Sequence, residues 1–276
     1  MSVDVATGGR ATILAQPRTS RTARASSKVR VVGAYVASMV LGVGVWWLIS
    51  LFYSEFILPS PALTFEGFIT LAQDGTLQSS VLASSGRILV GWGIGLIVGI
   101  PLGLAMGRIT IIRYLADPYI EFFRYIPPIA FVTIAIVWFG VGETSKIVLI
   151  VYTTVFVVTV NTLVGARSVD DLKLRAASSL GANKRQRLRY VILPATLPSI
   201  VTGARVAMGN SFLTIVAAEL VAAQSGLGAM IWTSRNFGRT DWVFVGIFAL
   251  GALGFLFDRV LRIIITLFLG RYGVKA

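Results

Sequence analysis

Four ionisable residues stand inside otherwise apolar stretches of the 276-residue chain: Glu121, Arg124, Arg205 and Glu219. Charge among apolar neighbours is costly in a membrane, so such groups face protein or a water-filled path. Glu121 and Arg124 lie three apart, a spacing that lets them pair on one helix face. That outcome is purely structural. The competing outcome makes Arg124 or Arg205 the contact for an anion, because a guanidinium presents fixed donors to oxyanions. Asn210 and Thr214, four apart, share a helix face and are candidates to line the same passage, with Met208 or Phe212 nearby. The sequence holds no Cys and no His. Disulfides, thiol nucleophiles, imidazole bases and the usual zinc sites are thereby excluded. No catalytic residue and no metal ligand is assigned, and no cofactor is expected on this chain.

The elements that position these residues follow from composition. Apolar residues make up 55% of the chain and charged ones 13%, about half the charge of a soluble domain. The solvent of such a chain is lipid. Charge-free runs give the spans: residues 31–54, 88–107, 125–142 (its start extending back towards Asp117 and Pro118) and 147–166. Residues 196–222, apolar except for Arg205 and Glu219, supply a fifth, and a run that starts after Asp241, stays clear up to Asp258 and continues as an amphipathic end through Arg259 and Arg262 supplies a sixth. Each is near the 20 or so residues one crossing needs. The expected architecture is all-α, a polytopic membrane protein with six transmembrane helices.

The net charge of +13 would suit nucleic acid if it were grouped on one soluble face, but the cations fall between the spans and on one side of them. With the N-terminus inside, the inner segments carry Arg10 to Arg30, Arg108, Arg113, Arg167 to Arg189 and Arg259 to Lys275, and the outer loops only Lys146, Arg235 and Arg239. By the positive-inside rule both termini are cytoplasmic. Residues 1–30, rich in Ser, Thr, Ala and Arg, read as a disordered basic tail against an anionic lipid face. Residues 31–276 form the membrane domain. The first run is too long for a cleavable signal.

Two patterns bear on packing. Gly91, Gly95, Gly99, Gly103 and Gly107 recur every four residues and form a face without side chains that admits a close helix neighbour. Tight static packing explains the pattern; a sliding seam is the functional alternative. Pro127 and Pro128 remove two backbone donors just after Arg124, so the third span should kink there, in a place covered by protein or water.

The loop 167–194 reads RSVDDLKLRAASSLGANKRQRLRYVILP. Leu172, Ala176 and Leu180 form one apolar stripe. Gly181 stands where a helix would end and Asn183 where the next would be capped. A short helix, a turn and a second, basic helix are expected. A stripe with a small-residue centre suits insertion into another protein's groove, and an amphipathic helix on lipid is the alternative.

Arg175-Ala176-Ala177, three residues, Gly181, then Val191-x-Leu193-Pro194 resembles the EAA loop of binding-protein-dependent ABC permeases. Arg175 stands where that family usually has Glu, and Val191 where it has Ile. LPSP at 58–61, RYIPPIAFVTIAIVWFGVGETSK at 124–146, GARVAMGNSFLTIVAAELVAAQSGLG at 203–228 and RAASSLGA at 175–182 are similar to the subgroup importing taurine, alkanesulfonates and nitrate, the last motif with its leading Arg to the taurine permeases. The resemblance covers roughly residues 40–270.

The resemblance implies a type I ABC importer permease fold, a homodimer and a pathway for a small anionic solute. It also implies partners: two cytoplasmic ATPase subunits that bind ATP and Mg, and a periplasmic or lipid-anchored solute-binding protein. Arg175, Ala176, Ala177, Ser178, Ser179, Leu180, Gly181, Ala182 and Asn183 would form the ATPase-coupling segment. The chain has no G-x-x-x-x-G-K-[ST], and residues 140–146 have the wrong order for one, so hydrolysis belongs to a partner. The rivals are an ion-gradient-driven secondary transporter, which calls for paired halves and midplane carboxylates, and a scaffold subunit that only anchors other proteins.

Overall fold

The structure is a computed structural model describing residues 21–222 and 224–270. The described chain is helical and contains no strand. It divides into two units, Met1–Phe52 and Tyr53–Ala276. Among the described residues the first contains α1 (Arg21–Ser50), whose stretch from Gly33 to Ser50 is long and apolar enough for a crossing. Its helix begins ten residues before the apolar run. Of the expected basic tail, residues 1–20 lie outside the described residues, and the backbone of 21–30 is helical.

In the second unit, α2 (Pro61–Gln73) starts with Ser60 as its cap, the Ser60 Oγ accepting from Leu63 N at 3.2 Å, and with Pro61 in the first turn. Next comes α3 (Thr76–Arg108), then α4 (Thr110–Phe123), a 3-10 turn at Pro128–Phe131 and α5 (Val132–Phe139). These are followed by α6 (Glu143–Arg167), α7 (Asp171–Ser179) and α8 (Lys184–Arg187). A π-type segment, Leu188–Ile192, carries α8 into α9 (Leu193–Ala222); α10 (Leu227–Asn236) and α11 (Thr240–Leu269) complete the chain.

The glycine face of α3 packs on α6. A methyl placed on Gly91 would sit 2.6 Å from Ile150 Cβ, one on Gly103 2.6 Å from the Thr159 carbonyl, and one on Gly107 2.6 Å from Ala166 Cβ; one on Gly95 would collide with Thr154. Dispersion between close backbones is what holds helices together in lipid. Gly93 and Gly86, off this face, have open space instead. The static-packing reading accounts for every glycine of the stripe.

The pairing also fixes direction. Gly91 meets α6 near its start and Gly107 near its end, so α3 and α6 run parallel. The link from Arg108 back to Glu143 must therefore return along the bundle, about 24 Å for the sixteen residues between those two glycines at 1.5 Å each. The return is made by α4 and α5, bent by 90° at the break. The third span is thus a broken one that starts at Thr110, earlier than the expected Asp117–Pro118, and the kink expected at Pro127 and Pro128 takes the form of a full break followed by the 3-10 turn and α5. With this pair taken as one span, six spans are present by length and composition.

Further helices of the second unit pack on α3 and α6. α9 runs antiparallel to α6: a side chain on Gly165 would meet Ser199 and Thr196, and Asn161 fills the place of one on Gly203. Thr153 and Thr214 hydroxyls lie 2.9 Å apart, and the Trp92 indole donates to Ala204 O at 2.9 Å. α2, α10 and α11 close the other side of the unit around Leu71, Leu77, Leu227, Met230, Val245 and Leu253. α2 and α10, 13 and 10 residues long, are too short to cross and lay below the charge-to-charge reading. α3 starts twelve residues before the expected 88, at Thr76. The fifth span is helical from Lys184, so the expected second loop helix runs on into it.

Candidate functional site

The C-terminal end of α6, beyond Ala166, leads into the loop 167–194. Asp170 caps α7, its carboxylate accepting from Leu172 N at 2.8 Å. The helix ends as its sequence dictates: Gly181 takes φ +81°, its N–H donates to Ser178 O at 3.0 Å, and Ala182 N–H donates to Ala177 O at 3.0 Å. This paired closure needs a left-handed residue, which glycine supplies without cost from a side chain. Asn183 then caps α8 reciprocally with Gln186, at 2.8 and 2.9 Å. Arg187 ties the two helices together by donating to Ser178 Oγ at 2.9 Å.

The result is a rigid turn with an unburied surface. Leu172 is 72% and Leu180 88% exposed, and α7 has no buried residue. Ala176 and Ser179 are exposed and Ala177 half-buried. Arg175 is exposed and shares a shallow hollow with Asp171, Ser178 and Arg187.

Along the bundle, the break in the third span opens a groove against α6 and α9. Its volume is about 570 Å³, and Arg124, Tyr125, Tyr152, Thr153, Asn161, Asn210 and Thr214 supply its polar lining. Three of the residues expected along a pathway, Arg124, Asn210 and Thr214, therefore meet in one place. No carboxylate lines it. Glu121, 70% exposed, stands 3.8 Å from the Arg124 guanidinium, beyond hydrogen-bond length. Arg124 instead donates to the Tyr125 hydroxyl at 2.7 Å.

Two expected residues lie elsewhere. Arg205 donates to Asp258 Oδ1 at 3.0 Å, and Arg262 bonds the other oxygen at 2.8 Å; Arg205 and Asp258 border a second hollow between α9 and α11. Glu219 is 1% exposed and fully engaged. One of its oxygens receives Arg87 Nη1 at 2.6 Å, the other Gly228 N–H at 2.9 Å, and Ser84 Oγ lies 2.9 Å from both. Arg87 also holds both oxygens of Glu143, at 2.5 and 2.7 Å, and the Ser225 carbonyl and hydroxyl. Ser84 further accepts from Leu227 N–H at 2.9 Å. The cluster pins the reversal after α9 onto α3 and α6. Every polar group in it has a partner, which is the condition for burying charge.

Sequence reasoning missed Arg87, Ser84 and Tyr152. The charge of Arg87 marked the edge of a span, and its partners Glu143 and Glu219 are 56 and 132 residues away. An aromatic in an apolar run, such as Tyr152, carries no signal that separates a groove from lipid.

Comparison with known proteins agrees with this arrangement. Residues 95–268 match the family described as "Binding-protein-dependent transport system inner membrane component". The taurine transport system permease protein TauC of Escherichia coli K12 is 40% identical over 235 residues, 82% of this chain and 85% of that one. The nitrate import permease NrtB of Synechocystis sp. is 31% identical over 219 residues, 76% and 80% of the two chains. Among solved structures, the inward-facing MetNI methionine ABC transporter superposes with a TM-score of 0.56 at 20% identity, over 68% of this chain and 95% of that one. The reading of the chain as an ion-gradient-driven secondary transporter gives way to this membership. The chain belongs to the binding-protein-dependent inner membrane component family and is an ABC importer permease of the inner membrane, of the subgroup that includes the taurine, sulfonate and nitrate permeases.

Proposed function

We propose that the groove at the break of the third span is the path of a small anionic solute, of sulfonate type such as taurine, and that Arg124 is its contact. One observation carries the reading: a guanidinium lies with Asn210, Thr214, Thr153 and Asn161 in a groove without a carboxylate. A guanidinium, amide N–H groups and hydroxyls in that mixture suit a sulfonate or nitrate, and no carboxylate is present to neutralise a cation. The volume is within the range of small-molecule sites. The similarity to a taurine permease and to a nitrate permease supports the anion class and favours the sulfonate.

Power enters through loop 167–194. The exposed Leu172 and Leu180 stand on a turn stiffened by the Gly181 closure and the Asn183 cap, the form of a knob that seats in a partner's groove. The partner is a cytoplasmic ATPase that binds ATP and Mg. Two such subunits need two loops, so the permease acts as a homodimer, with both termini and the α7 face on the cytoplasmic side. A periplasmic or lipid-anchored binding protein delivers the solute to the Glu143 end. The basic residues gathered at the α7 end support this orientation.

The test is uptake of labelled taurine by the assembled importer in proteoliposomes carrying Arg124→Gln. The expected result is intact assembly and ATP hydrolysis with uptake reduced at least tenfold. Normal uptake would remove Arg124 from the path. Normal uptake in a Gly181→Val loop variant would likewise remove the docking role of the loop.

A further inference from the structure

The kink that carries Arg124 has a second requirement. In a continuous helix the Phe123 carbonyl would accept from residue 127 and the Arg124 carbonyl from residue 128, and both are prolines without an N–H. The chain partly compensates: Ile126 N–H turns back to Phe123 O at 3.0 Å, and Ala130 N–H goes to Pro127 O at 3.0 Å. Neither reaches Ile126 O. Backbone carbonyls at such a break inside a membrane must find partners from outside the segment.

Tyr152, on α6, provides one. Its hydroxyl donates to Phe123 O at 2.5 Å, with Ile126 O at 3.3 Å sharing the same proton. The two carbonyls bracket Arg124 and Tyr125. The phenol ring is itself fixed between Phe131 and Phe156, each with its centroid 4.9 Å away. α6 is the helix locked to α3 by the glycine face. Tyr152 therefore ties the bent segment to the most tightly packed part of the bundle, at the two carbonyls flanking the residue that projects the cation.

We infer that Tyr152 is a positioning residue for Arg124: its hydroxyl holds the break in the one bend that places the guanidinium in the groove. The inference rests on the proposed role of Arg124 as the anion contact, and it adds the group that sets where that contact stands. Tyr152 also borders the groove, but it acts through the backbone and need not touch the solute.

Tyr152→Phe keeps the ring and its aromatic neighbours and removes only the hydroxyl. In proteoliposomes containing the permease, its ATPase and its binding protein, labelled taurine uptake is measured against the concentration of loaded binding protein, for Tyr152→Phe, Arg124→Gln and the double variant. The expected result for Tyr152→Phe is a five- to tenfold fall in maximal uptake, with unchanged assembly, basal ATP hydrolysis and half-saturating concentration. The double variant should be no worse than Arg124→Gln alone, since two residues acting through one guanidinium are not additive. Wild-type uptake by Tyr152→Phe beside an impaired Arg124→Gln overturns the inference and leaves the role of Arg124 standing. Losses that multiply in the double variant overturn it too, as does failure of Tyr152→Phe to assemble, which would make the hydroxyl a support of the whole fold. Normal uptake by Arg124→Gln overturns the functional reading of Arg124 itself, and the inference falls with it.

Discussion

Arg87 and Arg124 are two arginines among lipid-facing helices that meet opposite fates. Arg87 lies at a crossing of three helices, 3% exposed in its side chain, between two carboxylates and the Ser225 carbonyl and hydroxyl. Arg124 lies at a break, a third exposed, with a hydroxyl as its near partner and a carboxylate out at 3.8 Å. The first spends all its donors on its own chain. The second keeps donors free and faces a cavity. In a membrane that difference separates a group that holds the fold from a group available to a passing ligand, and the distinction lies in how complete the partner set is.

The difference breaks most visibly at the buried cluster. Arg87→Met leaves Glu219 desolvated with only Ser84 and Gly228 to hold it, and frees the Ser225 loop. Stranding one partner of a buried pair costs about 3–5 kcal/mol, a large share of the roughly 5–15 kcal/mol that holds an ordinary protein folded. The expected outcome is a large loss of extractable, monodisperse protein and a lower melting temperature. Arg87→Met combined with Glu219→Leu should recover part of it, because the unpaired charge is gone. A single variant as stable as the parent would show that the cluster is not the anchor of the bundle, and the contrast with Arg124 would lose one side.

A second variant tests why the block around α6 is stiff. Gly103→Ala places a methyl against the Thr159 carbonyl and Thr162, and backbone cannot move aside as a side chain can. Overpacking of this kind costs about 1–3 kcal/mol. Gly93→Ala, on the same helix with nothing within 4 Å, is the control and should be neutral or slightly stabilising, since alanine is the better helix former by about 1 kcal/mol. Melting curves of the two in one detergent decide the matter. Equal behaviour would mean that the glycine face does not carry the contact between α3 and α6.

These residues also show what the sequence made legible. The glycine spacing could be read directly because periodicity is local, and so could the Gly181 closure and the Asn183 cap, whose partners lie within five residues. The kink at Pro127 was readable for the same reason. The sharpness of the bend was not, because it depends on a hydroxyl 29 residues downstream. Charge-free runs located the crossings, but the same rule cut α3 short at Arg87 and placed Glu219 among the pathway candidates. A charge is a boundary or a core group according to partners that linear order hides. Arg124, Asn210 and Thr214 were chosen by type and spacing, and only the fold shows that they share one groove while Arg205 does not.

Arg205 therefore sharpens the comparison from between its extremes. It is 26% exposed in its side chain, bonds Asp258, and borders an apolar hollow in which Arg124 has no part. Replacing it with Gln does not strand Asp258, because Arg262 remains at 2.8 Å on the other oxygen. The loss is then that of one partly exposed ion pair, about 1 kcal/mol or less. Solute uptake in Arg205→Gln should stay within about twofold of the parent and the melting temperature should fall only slightly. A tenfold loss of uptake with stability unchanged would add a second cation to the proposed path. The rule that a satisfied arginine belongs to the fold and an unsatisfied one to the ligand would then fail at the one position where both descriptions are partly true.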